Sequence, residues 1–175
     1  MLLADNSMAS VLETLRADVR SQDQAELSLG DTLDVKASIL LVSVVFLEGI
    51  TVDLISAKWP LRTAALDFQL ACGALLAVSG ILILRVIWPT DYSVEDENRA
   101  QELLSYFEDN PGAAVDPLVT EVILKSDITI TLERVTNNHA INARKSNILY
   151  WAFYVATFVS GLEIMSALLA LRPLL

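Results

Sequence analysis

Arg134, Asn138 and Lys145 fall on one face of a helix, at offsets of four and eleven residues. Asn142 is close to that face, and Asn137 and Arg144 flank it. Guanidinium and ammonium groups suit a phosphate, and Asn amides suit the edge of a base. Arg134 and the segment "TNNHAINARK", residues 136–145, therefore read as a candidate anion-binding face built from Arg134, Asn138, Asn142 and Lys145. A second reading stays open for Arg144 and Lys145. They stand just ahead of an apolar run, where basic side chains reach for lipid headgroups and fix orientation.

A different chemistry comes from three acids in apolar surroundings. "ILLVSVVFLEGITVDLI", residues 39–55, carries Glu48 and Asp53, and a later apolar run carries Glu163. A charge at the centre of a bilayer costs at least ~2.5–3.5 kcal/mol, so each acid needs an explanation. One is that Asp53 is interfacial while Glu48 and Glu163 are protonated or hydrogen-bonded between helices. Another is that copies of the chain assemble, so that the acids face one another or a water-filled path. A third is that the first run is not a span but a helix buried in protein.

No catalytic motif accompanies these groups. G-x-x-x-x-G-K-[ST], G-x-S-x-G and H-E-x-x-H are all absent. His139 lies in a polar stretch and reads as a solvated surface residue, while Cys72 lies in an apolar run and reads as a small packed hydrophobe. One Cys and one His exclude an internal disulfide and a zinc site of several Cys and His. The expectation is a non-enzyme with no metal and no cofactor. A net charge of −10 argues against nucleic acid as a partner.

The elements that position these residues follow from an excess of hydrophobic residues, 54% of a 175-residue chain. A bilayer core about 30 Å thick needs roughly 20 apolar residues in a helix. Three segments qualify: Ala37 to Ala57, Phe68 to Trp88 and Ile148 to Leu171. "KWPLRTAALD" joins the first two as a tight hairpin, with Trp59-Pro60 ending the first helix and Pro89 the second. Trp59, Trp88, Tyr150 and Trp151 stand near span ends, where such rings favour the headgroup level. By depth, Glu48 lies roughly 16 Å into its span, near the midplane, and Asp53 and Glu163 roughly 22–24 Å in, at one level. Gly73, Ala77 and Gly80 form a small-residue stripe on the second span, and Ala152, Ala156 and Ser160 another on the third. Such stripes let helices approach closely, within one chain or between copies.

The fold class expected is an all-α membrane protein, with three transmembrane helices and a helical cytoplasmic segment between the second and third. The parts are residues 1–36, a cytoplasmic N-terminal helix; 37–88, a transmembrane hairpin; 89–147, the cytoplasmic segment; and 148–175, the third span and a short tail. Of the 12 Lys and Arg residues, Lys58, Arg62 and Arg172 lie beyond the spans and the rest on the N-terminal side. That asymmetry puts the N-terminus in the cytoplasm. "MLLADNSMASVLETLRADVR" is neither a signal peptide nor a lipidation signal; it reads as an amphipathic helix with Met8, Val11, Leu12, Leu15 and Val19 on its apolar face and Ser7 as N-cap. "SVEDENRAQELLSYFEDNPG" reads as a short helix opened by Glu95, Asp96 and Glu97 and closed at Asn110-Pro111-Gly112. "DITITLE" alternates like a strand, but no partner strand is near, so residues 117–147 read as helix running into the third span.

"DVKASILL", residues 34–41, places Asp-x-Lys-Ala directly ahead of the first span, and "NHAINARKSNIL", residues 138–149, leads into the last. With the hairpin and helical segment between them, this resembles the small transmembrane effectors of bacterial Pycsar antiphage systems, over most of the chain after residue 30. Asp34, Lys36, Asn142 and Lys145 are the pattern positions that carry over. The resemblance implies an antiviral effector in the bacterial inner membrane. A companion pyrimidine cyclase would supply cyclic UMP or cyclic CMP as activating ligand, and the effector would then impair the membrane and stop growth. Membrane lipid and further copies of the chain are the other partners expected. The residues alone leave open a membrane scaffold or accessory subunit, or an ion-conducting component without nucleotide sensing.

Overall fold

A spacing of three and four residues organises the two longest helices. The computed structural model describes residues 2–56, 63–88, 90–95, 97–113 and 116–171, with side chains for residues 10–52, 67–88, 90–95, 98–99, 101–113 and 116–165. The elements are α1 (Leu2–Ser56), α2 (Thr63–Ile87), α3 (Glu97–Asp109) and α4 (Pro117–Leu171). No strand occurs among the described residues. On α1 the inward positions are Leu12, Arg16, Val19, Asp23, Glu26, Gly30, Leu33, Ala37, Leu40, Val44, Leu47 and Thr51. On α4 they are Leu124, Ile128, Thr131, Val135, Asn138, Asn142, Lys145, Leu149, Ala152, Ala156, Val159 and Glu163. Both are the seven-residue pattern by which one helix keeps a single seam against another.

The described chain divides into two units, residues 1–30 with 91–142 and residues 31–90 with 143–175, so that α1 and α4 contribute to both. Within each unit α1 and α4 run parallel. In the first, Arg16 meets Asp127, 111 residues later. In the second, Asp34 meets Lys145, again 111 residues later, and Thr51 meets Glu163, 112 residues later. Within each unit α1 pairs with α4 at an offset of 111 or 112 residues.

The first unit packs the start of α1, the α2–α3 linker, α3 and the start of α4. Leu12, Val19 and Leu124 are its buried apolar residues, accompanied by buried Asp23, Thr131, Asn138 and Asn142. Its interior is therefore largely polar. The stretch "DITITLE" is helical, as expected from its lack of a partner strand. Its threonines accept helix geometry because Thr129 Oγ1 donates to the Lys125 carbonyl and Thr131 Oγ1 to the Asp127 carbonyl. The helix closed by Asn110-Pro111-Gly112 is α3, and the Asn110 amide bonds the Tyr106 carbonyl at its end.

The second unit packs the end of α1, α2 and the end of α4 around Ala37, Val44, Cys72, Leu76, Ile83, Val86, Ala152, Ala156 and Val159. Small residues face inward. A Cβ on Gly73 would lie 3.9 Å from Thr51 Cγ2, and one on Gly80 3.8 Å from Val44 Cγ1. Ser79 Oγ donates to the Ala152 carbonyl, 2.9 Å away and buried. Both small-residue stripes are thus used within one chain. Large apolar side chains face outward instead, among them Ile39, Val42, Phe46, Val78, Ile81, Phe153 and Phe158. That inversion fits helices surrounded by hydrocarbon, where close packing takes the place of the hydrophobic effect between helices. Helices α1, α2 and α4 are each long and apolar enough to cross a membrane.

Four local expectations change. Ser7 is not an N-cap, because α1 begins at Leu2 and continues without a break to Ser56. Residues 20–36 contain no Pro, and the inward seam gives the helix a reason to continue. Val11 and Leu15 are exposed while Leu12 and Val19 are buried; the Met8 side chain lies outside the described residues. Glu95 precedes α3 rather than opening it. Helix α2 starts at Thr63, five residues before the expected span. Trp59, Pro60, Lys58, Arg62, Pro89, Asp96 and Arg172 lie outside the described residues. Trp88, Tyr150 and Trp151 are exposed.

Leu76→Ala should destabilise the detergent-solubilised protein by about 2–5 kcal/mol, because Leu76 is fully buried. Leu75→Ala, one residue away and 41% exposed, should change stability by less than about 0.5 kcal/mol. Thermal unfolding followed by circular dichroism compares the two.

Candidate functional site

Arg134, Asn138 and Asn142 share the inward face of α4 in the first unit, and each is engaged by protein. Arg134 pairs with Asp23 of α1 at 3.1 Å, both side chains close to nine-tenths buried. The Asn138 amide makes a two-point bond to the Ser93 backbone: Nδ2 donates to its carbonyl and Oδ1 accepts from its N–H, both at 3.1 Å. Asn137 Nδ2 donates to Ser93 Oγ at 2.7 Å. Asn142 accepts from the Tyr92 hydroxyl at 2.8 Å and donates to the Glu26 carbonyl and carboxylate at 2.7 and 2.8 Å. Three asparagines therefore strap the α2–α3 linker and α1 to α4. Gly30 makes room for that strap, since a Cβ there would come within 2.6 Å of the Tyr92 hydroxyl oxygen.

Lys145 belongs to the second unit. It is buried, and its Nζ donates to Asp34 at 2.8 and 3.1 Å. Two of the pattern positions, Asp34 and Lys145, thus form an ion pair, while Lys36 is exposed. Arg144 is exposed as well. His139 is exposed, and its Nδ1 lies 2.9 Å from Glu26 Oε1. Hydrogen bonds from Asn142 and then His139 hold the Glu26 carboxyl below its ordinary value.

Beside these straps the first unit holds a cavity of about 280 Å³. Arg16 and Arg20 of α1, Arg99 of α3 and Arg134 of α4 line it, together with Asp127, Glu95, Thr131 and the apolar Val94, Leu103 and Ile130. Asp127 reaches Arg16 Nε at 2.5 Å and an Arg20 nitrogen at 3.4 Å. Glu95, on the linker, reaches Arg20 at 3.4 Å. Arg99 donates to Ser126 Oγ at 3.0 Å. The sequence reading found Arg134 and missed the rest. One signal was present: Arg16 and Arg20 stand one helical turn apart. Arg99 carried none, because only the fold brings α3 to them.

In the second unit Glu163 is buried against α1, where its carboxylate meets the Thr51 hydroxyl. That hydroxyl also lies 3.0 Å from the Leu47 carbonyl, so its one proton has two acceptors within reach. Glu48 is half-buried on α1, and the Asp53 side chain lies outside the described residues. Cys72 is buried in the core of this unit. No group of three His, Cys, Asp or Glu side chains suited to a metal occurs among the described residues.

Three long apolar helices with small residues inside and large apolar side chains outside define a helical membrane protein. The family model for the Pycsar effector protein domain matches residues 19–173, and the chain belongs to that family of transmembrane antiphage effectors. No curated protein and no solved structure matches the chain.

The depressed Glu26 carboxyl makes the first unit acid-sensitive. Its folded form holds a proton less tightly than the unfolded chain, so the contribution is full at neutral pH. It is lost as pH falls from the ordinary 4.5 through the lower folded value. Melting temperature should fall across that window, and Asn142→Ala should flatten the fall, read by circular dichroism melts between about pH 3 and pH 7. Separately, Gly30→Ala should cost about 1–3 kcal/mol by driving Tyr92 off Asn142, measured in the same melts at neutral pH.

Proposed function

We propose that this Pycsar effector senses a cyclic pyrimidine nucleotide, cyclic UMP or cyclic CMP, and responds by impairing the bacterial inner membrane, which arrests growth. The observation that carries the reading is the family match over residues 19–173, supported by three helices long and apolar enough to span a bilayer. The protein acts without catalysis and without a cofactor; the nucleotide, made by a companion cyclase, is its trigger. It sits in the inner membrane as a multi-pass protein with a cytoplasmic N-terminus, the orientation favoured by its Lys and Arg asymmetry. Nucleotide binds the residues 1–30 and 91–142 unit, which is polar inside. Ligand shifts the population only through different affinities for the two states. Helices α1 and α4, which contribute to both units, carry the change to the spans. Several copies assemble around a leak along which Glu48 and Glu163 lie.

A membrane scaffold is the rival reading, and the Thr51–Glu163 bond favours it, since a buried acid that only staples helices needs no path. The two readings part in living cells. Cyclic UMP or cyclic CMP supplied to cells that express the protein should depolarise them within minutes, as reported by a potential-sensitive dye. Glu48→Leu and Glu163→Leu should each reduce that signal severalfold at matched protein levels. Full depolarisation in both variants would remove the acids from the path. No depolarisation with either nucleotide in the wild type would favour the scaffold.

A further inference from the structure

The arginine-lined cavity of the first unit is separate from the asparagine straps, although its Glu95 stands on the linker they hold. We infer that it is the nucleotide site of this protein, with Arg16, Arg20, Arg99 and Arg134 receiving the phosphodiester of a cyclic mononucleotide; this rests on the sensing reading above and adds where the ligand binds. Three observations converge. The first is charge. Four guanidinium groups line or border the space, against the carboxylates of Asp127, Glu95 and the neighbouring Asp23. One positive charge is left over, which one cyclic phosphodiester would neutralise.

The second is unmet hydrogen bonding. Among the described residues, Arg20 Nε and Arg134 Nε are buried and have no hydrogen-bond partner. A buried donor without an acceptor costs about 1–3 kcal/mol, and a phosphate oxygen is the acceptor for which guanidinium geometry is suited. The third is size. A cavity of about 280 Å³ lies at the small end of ligand sites, which run from roughly 300 to 1,000 Å³. It suits one nucleotide rather than a cyclic dinucleotide. Val94, Leu103 and Ile130 give the sugar and base an apolar wall.

The acids already present then take a second part. Glu95 and Asp127 hold the arginines as internal counter-anions while the site is empty of ligand charge. An entering phosphodiester competes with them. Glu95 stands on the same linker as Tyr92 and Ser93, which the asparagines strap to α4. Displacing Glu95 from Arg20 frees one end of that linker.

The test is calorimetric titration of full-length protein in detergent with cyclic UMP, cyclic CMP and, separately, short-chain phosphatidylglycerol, whose phosphodiester also carries a single charge. Arg20→Gln and Arg99→Gln should weaken nucleotide binding at least tenfold. Lys125→Gln, on an exposed part of α4, should leave it unchanged. Glu95→Gln should tighten binding by a few-fold, a gain that misfolding would not produce. If the wild type binds nucleotide and both arginine variants bind it equally well, the cavity is not the site, although the sensing reading stands. If the wild type binds neither nucleotide, the sensing reading itself falls. Arginine-dependent binding of phosphatidylglycerol alone would overturn the assignment in favour of a lipid headgroup.

Discussion

The register between α1 and α4 is the constraint on which the rest depends. A parallel pair of helices with an apolar seam can slide by a turn and still bury hydrocarbon. This seam cannot, because charged and amide groups occupy its inward positions. Arg134 needs Asp23, Lys145 needs Asp34 and Asn142 needs Glu26. Removing one partner from a buried ion pair costs about 3–5 kcal/mol, far more than a surface pair is worth. A slip of one turn would strand several such groups at once. Polar residues at seam positions therefore act as register marks, at the expense of the apolar burial they displace.

The two units draw on the same two long helices and have different interiors. In the first, Asp23, Asn138 and Asn142 bond other side chains or backbone, while Arg20 Nε and Arg134 Nε have no partner among the described residues. In the second, the core is apolar, and its buried polar contacts include Lys145 on Asp34, Ser79 on a carbonyl and Thr51 on Glu163. Hydrocarbon offers no competing donors or acceptors, so each of these few bonds satisfies groups that would otherwise be stranded. The charged cavity lies in the first unit and the apolar core cluster in the second.

Much of the fold could be read from the chain. Three apolar runs announced α2 and the far parts of α1 and α4, and Asn110-Pro111-Gly112 announced the end of α3. The helical reading of "DITITLE" held because no strand stood near to pair with it. The unbroken α1 was hidden by its own seam. Arg16, Asp23 and Glu26 sit where an apolar pattern was sought, so the seven-residue repeat did not register as one. Ser7 looked like a cap only because the helix was thought to start after it. At the candidate site, helical spacing placed Arg134, Asn138 and Lys145 on one face with Asn142 close to it, and all four point inward on α4. It could not show that the asparagines hold the chain itself, or that Arg16, Arg20 and Arg99 gather around Arg134. Those meetings join residues far apart in sequence, and no local pattern encodes them.

The distance along the chain between paired groups also sets the order of events during synthesis. Contacts between α1 and α4 span 107 to 116 residues, as from Arg20 to Asp127 and from Glu26 to Asn142. The ribosome emits α1 first and α4 last. Neither unit can close its seam until the final helix has emerged, because every partner of Asp23, Glu26 and Asp34 named above on α4 is still missing. Closing so long a loop is slow compared with forming a helix. Before α4 emerges, α1 and α2 can meet only through contacts such as Val44 beside Gly80, and every buried polar group on α1 that pairs with α4 waits for its partner.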